Sequence, residues 1–168
     1  VSPPEGGASA VWTALDGVND PELPVISIVQ LGMVRDVRVD GARCTVVFSP
    51  TFLGCPASRL ISREIEQAVR GLGLEPDVQV SHAKPWSPGQ ISAQGREALR
   101  AVHISIGHGA VTEEGALGGL ESLEKDRVPC TRCGSEDTVL ISAFGSTRCR
   151  AVRRCKPCQG LFEQLKPL

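Results

Sequence analysis

The sequence predicts a small α+β domain, two layers in which helices pack a hairpin-containing sheet, followed by a separate C-terminal module rich in strands. Three observations carry that expectation. Residues 33–49, MVRDVRVDGARCTVVFS, alternate apolar and polar side chains about Asp40-Gly41, which is the period and the turn chemistry of a β-hairpin. Residues 58–72 instead place Ile61, Ile65, Ala68, Val69 and Leu72 at helical spacing, with Arg63, Glu64, Glu66, Gln67 and Arg70 on other faces. Five of the seven cysteines then crowd between Cys130 and Cys158, four of them as Cys-x-x-Cys pairs.

In chain order, residues 1–9 are small and rich in Pro and Gly, the composition of a disordered tail. AVWTALDGV, 10–18, reads as a short amphipathic helix with Val11, Leu15 and Val18 on one side. NDPELPV stops it, because Pro21 and Pro24 bar a continuing helix and Asp20 folds a turn onto its own backbone. After the hairpin and the 58–72 helix, closed by Gly71 and Gly73, DVQVS supplies a third strand with Val78 and Val80 alternating. KPWSPGQ breaks the chain, and ISAQGREALRAV makes a last short helix. Repeated glycines with no sustained period mark a linker, with one helical turn near Leu120. The expected divisions are therefore a tail at 1–9, an α+β domain at 10–104, a linker at 105–127 and a cysteine module at 128–168.

At 168 residues the chain can hold one ordinary domain plus one small stapled module. A net charge of −1 argues against whole-chain nucleic-acid binding, and aromatic residues at 4%, with no tyrosine, leave no stacking platform for bases. No apolar run approaches the roughly 18–20 residues of a membrane span and no basic-then-apolar leader opens the sequence, so a cytoplasmic setting without membrane contact is expected.

In that setting paired Cys-x-x-Cys turns favour metal over disulfides. Cys130-Thr-Arg-Cys133-Gly and Cys155-Lys-Pro-Cys158-Gln-Gly are two knuckles around a strand-rich stretch. Facing each other they give four thiolates to one ion, a structural zinc ribbon, with a rubredoxin-like iron site as the alternative. A segment this short lacks a sufficient core, so bound metal would stabilise it. Cys149 is the extra thiol, either a buried strand cysteine or an alternate ligand. Residues 128–168 carry seven Lys/Arg against three Asp/Glu. The run Arg148, Arg150, Arg153, Arg154 and Lys156 reads as a solvated face or as a surface for an acidic protein partner.

Cys55 sits between the second strand and the helix, in SPTFLGCPAS. Pro56 fits the first turn of a helix, which would put Cys55 near the N-cap with a lowered pKa. Packing, nucleophile and metal ligand all remain open for it. A nucleophile needs a base; His82 at a strand end is the nearest candidate and no orienting third group is evident, so an intrinsic thiol enzyme is poorly supported. A soft-metal role asks only for an accessible thiolate and an oxygen ligand, for which Asp20 and Thr51 are candidates. Cys44 alternates into a strand face and reads as core.

NDPELPVISIVQLGMVRDVRV, SPTFLGCPA and KPW together resemble the small domain of SufT-like iron–sulfur assembly factors, and the CTRCG…FGSTRC…CKPC tail is similar to that of their PaaD (PaaJ) subgroup, which accompanies the bacterial ring-1,2-phenylacetyl-CoA epoxidase. The resemblance implies a non-catalytic maturation factor assisting iron–sulfur cluster or iron assembly in phenylacetate degradation. It makes Cys55 the cluster-handling thiol beside Asp20, Glu22 and Thr51, with a transient iron–sulfur cluster there. It assigns Cys130, Cys133, Cys155 and Cys158 to structural zinc, and Cys149 to the subgroup's additional cysteine. The implied partners are the reductase or oxygenase subunits, with a homodimer also allowed. The other reading is a structural or regulatory interaction module with an inert Cys55. Trp86 is followed here by SPGQI where the family carries a Thr/Asp-containing stretch, and the linker is longer and richer in glycine.

Overall fold

The computed structural model describes residues 7–51, 54–83, 86–107 and 120–166, for 120–122 the backbone only. Residues 1–6 of the expected tail and 108–119 of the expected linker lie outside them. The chain divides into two compact units, 1–84 and 85–168.

In the first unit, helix α1 (Gly7–Leu15) begins three residues ahead of the expected start, so 7–9 are helical and not part of a disordered tail. It buries Val11 and Leu15, as its periodicity requires. A two-stranded ribbon follows, β1 (Asn19–Asp20) against β2 (Leu23–Ser27). The hairpin is β3 (Val34–Asp40) and β4 (Arg43–Phe48), antiparallel. Its two central residues are Gly41 and Ala42, one step on from the expected Asp40-Gly41. Gly41 takes the positive φ of 57° that a tight hairpin turn demands of its first central residue.

Helix α2 (Ser58–Gly71) crosses over so that β5 (Glu75–Val80) pairs parallel to β4, giving sheet order β3-β4-β5. Cys44, Val46 and Phe48 on β4 and Ile61, Ile65 and Val69 on α2 are fully buried, and α1 packs on both α2 and β3. Burying each of these side chains stabilises the fold by roughly 1.5–3 kcal/mol before entropy is charged against it. Leu72, expected on the buried face, lies past the helix end and is exposed, and Gly73 turns the chain with φ 76°.

The second unit starts earlier than the expected module. Helix α3 (Ala93–Ala101) is capped by Ser92, whose Oγ accepts the Gly95 N–H at 3.0 Å. Strand β6 (Ile104–Ile106) then pairs parallel with β9 (Leu161–Leu165). After α4 (Leu120–Lys125), β7 (Thr138–Ser142) and β8 (Arg150–Cys155) complete a four-stranded sheet of order β6-β9-β8-β7. The helix and strand of residues 93–106 therefore belong with the cysteine sheet, because β6 finds its hydrogen-bonding partner in β9.

One face of this sheet buries two polar side chains among the apolar Ala151, Cys155 and Phe162. Arg153 and Gln164 are fully buried. Arg153 donates Nε–H to Gln164 Oε1 at 2.7 Å, Nη1–H to Thr138 Oγ1 at 3.2 Å, and Nη2–H to the Leu123 carbonyl. Gln164 passes the chain on, its Nε2–H donating to Asp126 Oδ2 at 2.7 Å. This network ties the approach to the first knuckle onto the strands, with its buried polar groups satisfied. No helix among the described residues is long and apolar enough to cross a membrane.

Candidate functional site

Two sulfur sites stand on the two units. In the second unit, the Sγ atoms of Cys130, Cys133, Cys155 and Cys158 all lie within 4.8 Å of one another. Cys130 and Cys158 approach to 3.7 Å, and Cys133 and Cys155 to 3.5 Å. Four sulfurs about 2.3 Å from a tetrahedral zinc stand about 3.8 Å apart, so the set fits that ion. Iron held by four thiolates uses the same donor set.

Each knuckle is shaped by its backbone. The Gly134 N–H donates to the Cys130 carbonyl at 2.9 Å with Gly134 at φ 74°, and the Arg132 N–H points at Cys130 Sγ at 3.4 Å. In the second knuckle the left-handed residue is Gln159, at φ 56°, and not the following glycine. Gly160 serves another purpose: a Cβ there would stand 2.8 Å from Arg132 Cδ and 3.3 Å from Cys158 Sγ. Crowding divides the protons unevenly. Burial opposes charge on Cys130, but the N–H groups of Cys133 and Arg132 and the neighbouring thiols outweigh it and bring its pKa down to about 7. Cys155, although the Cys158 N–H favours its thiolate, is pushed up to about 12 by burial and by the three other thiols. No cysteine of the chain is in a disulfide.

Cys149 is not part of this cluster. It is buried at the opposite end of β8 from Cys155, with its Sγ 3.0 Å from Thr147 Oγ1, so the structure does not bring it to the knuckles as an alternate ligand. The basic run is also broken up. Arg153 is inside the fold, Arg150 pairs with Glu163 at 2.7 Å, and Lys156 pairs with Asp137 at 2.7 Å. The Gly145-Ser146 turn is held by the same Glu163, which accepts the Ser146 N–H at 2.6 Å; a Cβ on Gly145 would stand 2.5 Å from it.

The first unit carries the lone thiol. Cys55 is half-buried, and it lies two residues ahead of the α2 N-cap, Ala57, not at the cap itself. Gly54 at φ 79° and the Ser58 N–H bond to the Cys55 carbonyl, 3.2 Å, form a turn that uses up Pro56 before the helix begins. The expected lowering of the thiol pKa does not hold. Burial pushes it up, and the charges of Glu22 and Asp20 add to that, outweighing the help of the Ala57 N–H and the Ser58 hydroxyl. Cys55, Asp20 and Glu22 are therefore near enough to feel one another.

Asp20 is almost fully buried and its Oδ1 accepts two backbone N–H groups, from Glu22 at 2.8 Å and Leu23 at 3.1 Å. That is the turn expected of it, and it fixes the Asp20 carboxylate in place. Thr51 is buried on the chain leading into the loop. His82 is exposed just beyond the end of β5 and is not among the groups that shift the Cys55 thiol. The pairing of β6 with β9 and the buried Arg153–Gln164–Asp126 chain escaped sequence reasoning; the alternation of Phe162 with polar residues in LFEQL was the only trace of the last strand.

Two family matches divide the chain in the same order. Residues 8–82 match the iron–sulfur cluster assembly protein family, and residues 119–166 match the PaaD zinc beta ribbon domain. The chain is 35% identical, over 99% of its own length and 95% of the relative's, to an Escherichia coli (strain K12) protein provisionally named as one of the subunits of 1,2-phenylacetyl-CoA epoxidase. It is 36% identical to the Fe-S protein maturation auxiliary factor YitW of Bacillus subtilis (strain 168), over 53% of this chain and 89% of that one. Among solved structures, a domain of unknown function, DUF59, from Bacillus anthracis aligns with TM-score 0.53 and 29% identity, covering 56% of this chain and 92% of that one.

Proposed function

Since the chain belongs to the PaaD family, in which an iron–sulfur cluster assembly domain precedes a zinc β ribbon, we propose that it is a non-catalytic, cytoplasmic maturation factor supplying iron or an iron–sulfur cluster to the multicomponent phenylacetyl-CoA epoxidase. The observation that carries this reading is the placement of Cys55 beside Asp20 and Glu22. A nucleophilic thiol wants cationic neighbours that stabilise its thiolate. Cys55 has buried surroundings and two carboxylates, which oppose the bare thiolate and attract a cation. Iron arriving as cargo reverses that balance: its positive charge deprotonates the thiol and satisfies the carboxylates together. Asp20 is held by two backbone N–H groups of its own turn, so this carboxylate is in position before cargo arrives.

The ribbon has the opposite task. Its four thiolates close around one ion, zinc on this reading, and leave no position for exchange. It serves as a docking module for the reductase or oxygenase subunits.

The test pairs wild type with Cys55→Ser. Metal and sulfide analysis of anaerobically purified protein is expected to show zinc in both and extra iron in the wild type alone. Epoxidase reductase matured beside Cys55→Ser is expected to be short of its iron–sulfur cluster while the variant's own melting is unchanged. Full cluster content in that reductase sinks the proposal.

A further inference from the structure

Beside the first knuckle, the second unit opens into a cleft of about 370 Å³. Helix α3 forms one wall with Arg96 and Arg100, the knuckle forms the other with Thr131 and Gly134, and Ile104 and Ile106 of β6 lie between with Pro129. We propose that this cleft is the docking groove for an extended acidic segment of a partner protein, whose carboxylates engage Arg96 and Arg100 while an apolar side chain rests on Ile106. The proposal goes beyond the maturation reading and does not depend on it, since it concerns what the ribbon unit grips whatever Cys55 carries.

Four features of the cleft point to that occupant. First, its two cations are poised. Arg96 is fixed in place, its Nε–H donating to the Ile91 carbonyl at 3.2 Å and its Nη2–H to the Pro88 carbonyl at 2.8 Å, so its charge is presented without loss of side-chain freedom on binding. Arg100, one turn further along α3, is exposed, and its side chain has neither ion pair nor hydrogen bond among the described residues. Glu97, between them in sequence, does not line the cleft.

Second, the charge around the cleft is complementary to an acidic chain. Every carboxylate side chain of residues 128–166 is already engaged: Glu136 with Arg127, Asp137 with Lys156 and Glu163 with Arg150. The knuckle side of the cleft therefore brings no unpaired carboxylate to repel an acidic segment. Third, among the described residues β6 is an edge strand of its sheet, with Ile104 and Ser105 buried and Ile106 partly open toward the cleft.

Fourth, the turn from α3 into β6 is held in a conformation that costs the chain something. His103 stands at φ 61°, a position glycine fills at most helix ends. In exchange its Nδ1 lies 3.4 Å from Thr131 Oγ1, linking the helix wall to the knuckle wall, and its carbonyl accepts the Glu163 N–H at 3.2 Å. Strain kept at the junction of two walls fits a built groove better than a chance hollow.

The test uses the zinc-loaded full chain and a short fluorescein-labelled peptide of alternating glutamate and valine, followed by anisotropy. The same peptide with lysine for glutamate and a labelled single-stranded oligonucleotide are run beside it. The glutamate peptide alone is expected to bind, more weakly as salt is raised. Arg100→Glu is expected to weaken it about tenfold, while Arg148→Glu, on the loop before β8, changes it less than about twofold. Unchanged zinc content shows that both variants are folded. Amide shifts on adding the peptide should centre on Ser105 and Thr131. Absence of binding at millimolar peptide, equal losses from the two variants, a preference for the oligonucleotide, or shifts centred elsewhere would each overturn the proposal.

Discussion

The two sulfur sites of this chain use one functional group in opposite electrostatic settings. At the knuckles, backbone N–H groups converge on the sulfurs and three thiols attend each fourth, so that Cys130 is brought down to about 7 while Cys155 is pushed up to about 12. At the loop, one thiol faces Asp20 and Glu22 and is pushed the other way by burial and charge. The knuckles bring four thiols together in a set that fits one ion, whereas the loop holds a single thiol whose ionisation is opposed by burial and two carboxylates. The contrast teaches that a cysteine's role follows from what surrounds its sulfur more than from the secondary structure that carries it.

The largest expected effect separates the units outright. Structural zinc contributes roughly 10–16 kcal/mol of apparent binding energy in small modules, so stripping it with a chelator should collapse the amide dispersion of β7, β8 and β9. The amides of β3 and β4 should stay protected from exchange. Loss of both sets together would erase the division between the two sites. Next in size, Phe48→Ala removes a fully buried ring from the first unit and is expected to cost about 3–5 kcal/mol in urea melts, with zinc content per chain unchanged.

Arg153→Ala is expected to cost the ribbon about 3 kcal/mol, read from the chelator concentration that unfolds it, because Gln164 Oε1, Thr138 Oγ1 and the Leu123 carbonyl lose their buried donor. Melting like the wild type would show that water replaces the guanidinium without penalty. The smallest effect concerns Cys55 itself. Glu22→Gln removes a charge that raises the thiol pKa, so more thiolate is present at any pH below it. Iodoacetamide labelling near pH 8 should speed up about two- to threefold, an effect the size of one screened charge at partial burial. Slower labelling would mean that Glu22 acts by some route other than its charge.

What the sequence disclosed follows the same physics. The knuckles were legible because four ligands in two tight turns leave a spacing that no other constraint produces. The hairpin and α2 were legible because burial on one face imposes a period. Pro56 misled, since a proline at the start of a helix and a proline within the preceding turn look alike, and the Gly54–Ala57 turn delays the helix to Ser58. The boundary near 104 misled for a different reason. β6 has three residues, and its partner β9 hides its alternation by burying Gln164 beside Phe162 and leaving Leu161 exposed. A buried polar side chain leaves no hydrophobic period to read. The nearness of Asp20 and Glu22 to Cys55 is a matter of tertiary packing; Asp20 is a candidate from its chemistry, and Glu22 from the family pattern alone.

The parallel pairing of β6 with β9 also sets an order of events in time. Ile104 cannot complete its hydrogen bonds until Glu163 has been made, and a parallel ladder closed over that sequence distance forms slowly. During synthesis α3 and β6 emerge long before their partner strand, while the first unit already has every strand it needs. The nascent chain thus passes through a stage with a finished assembly domain and an open edge behind it. On the proposed reading, metal taken up by the knuckles brings β8 and β9 into register and ends that stage. Metal supply would then set how long the growing chain is exposed to misassembly as well as how stable the finished one is.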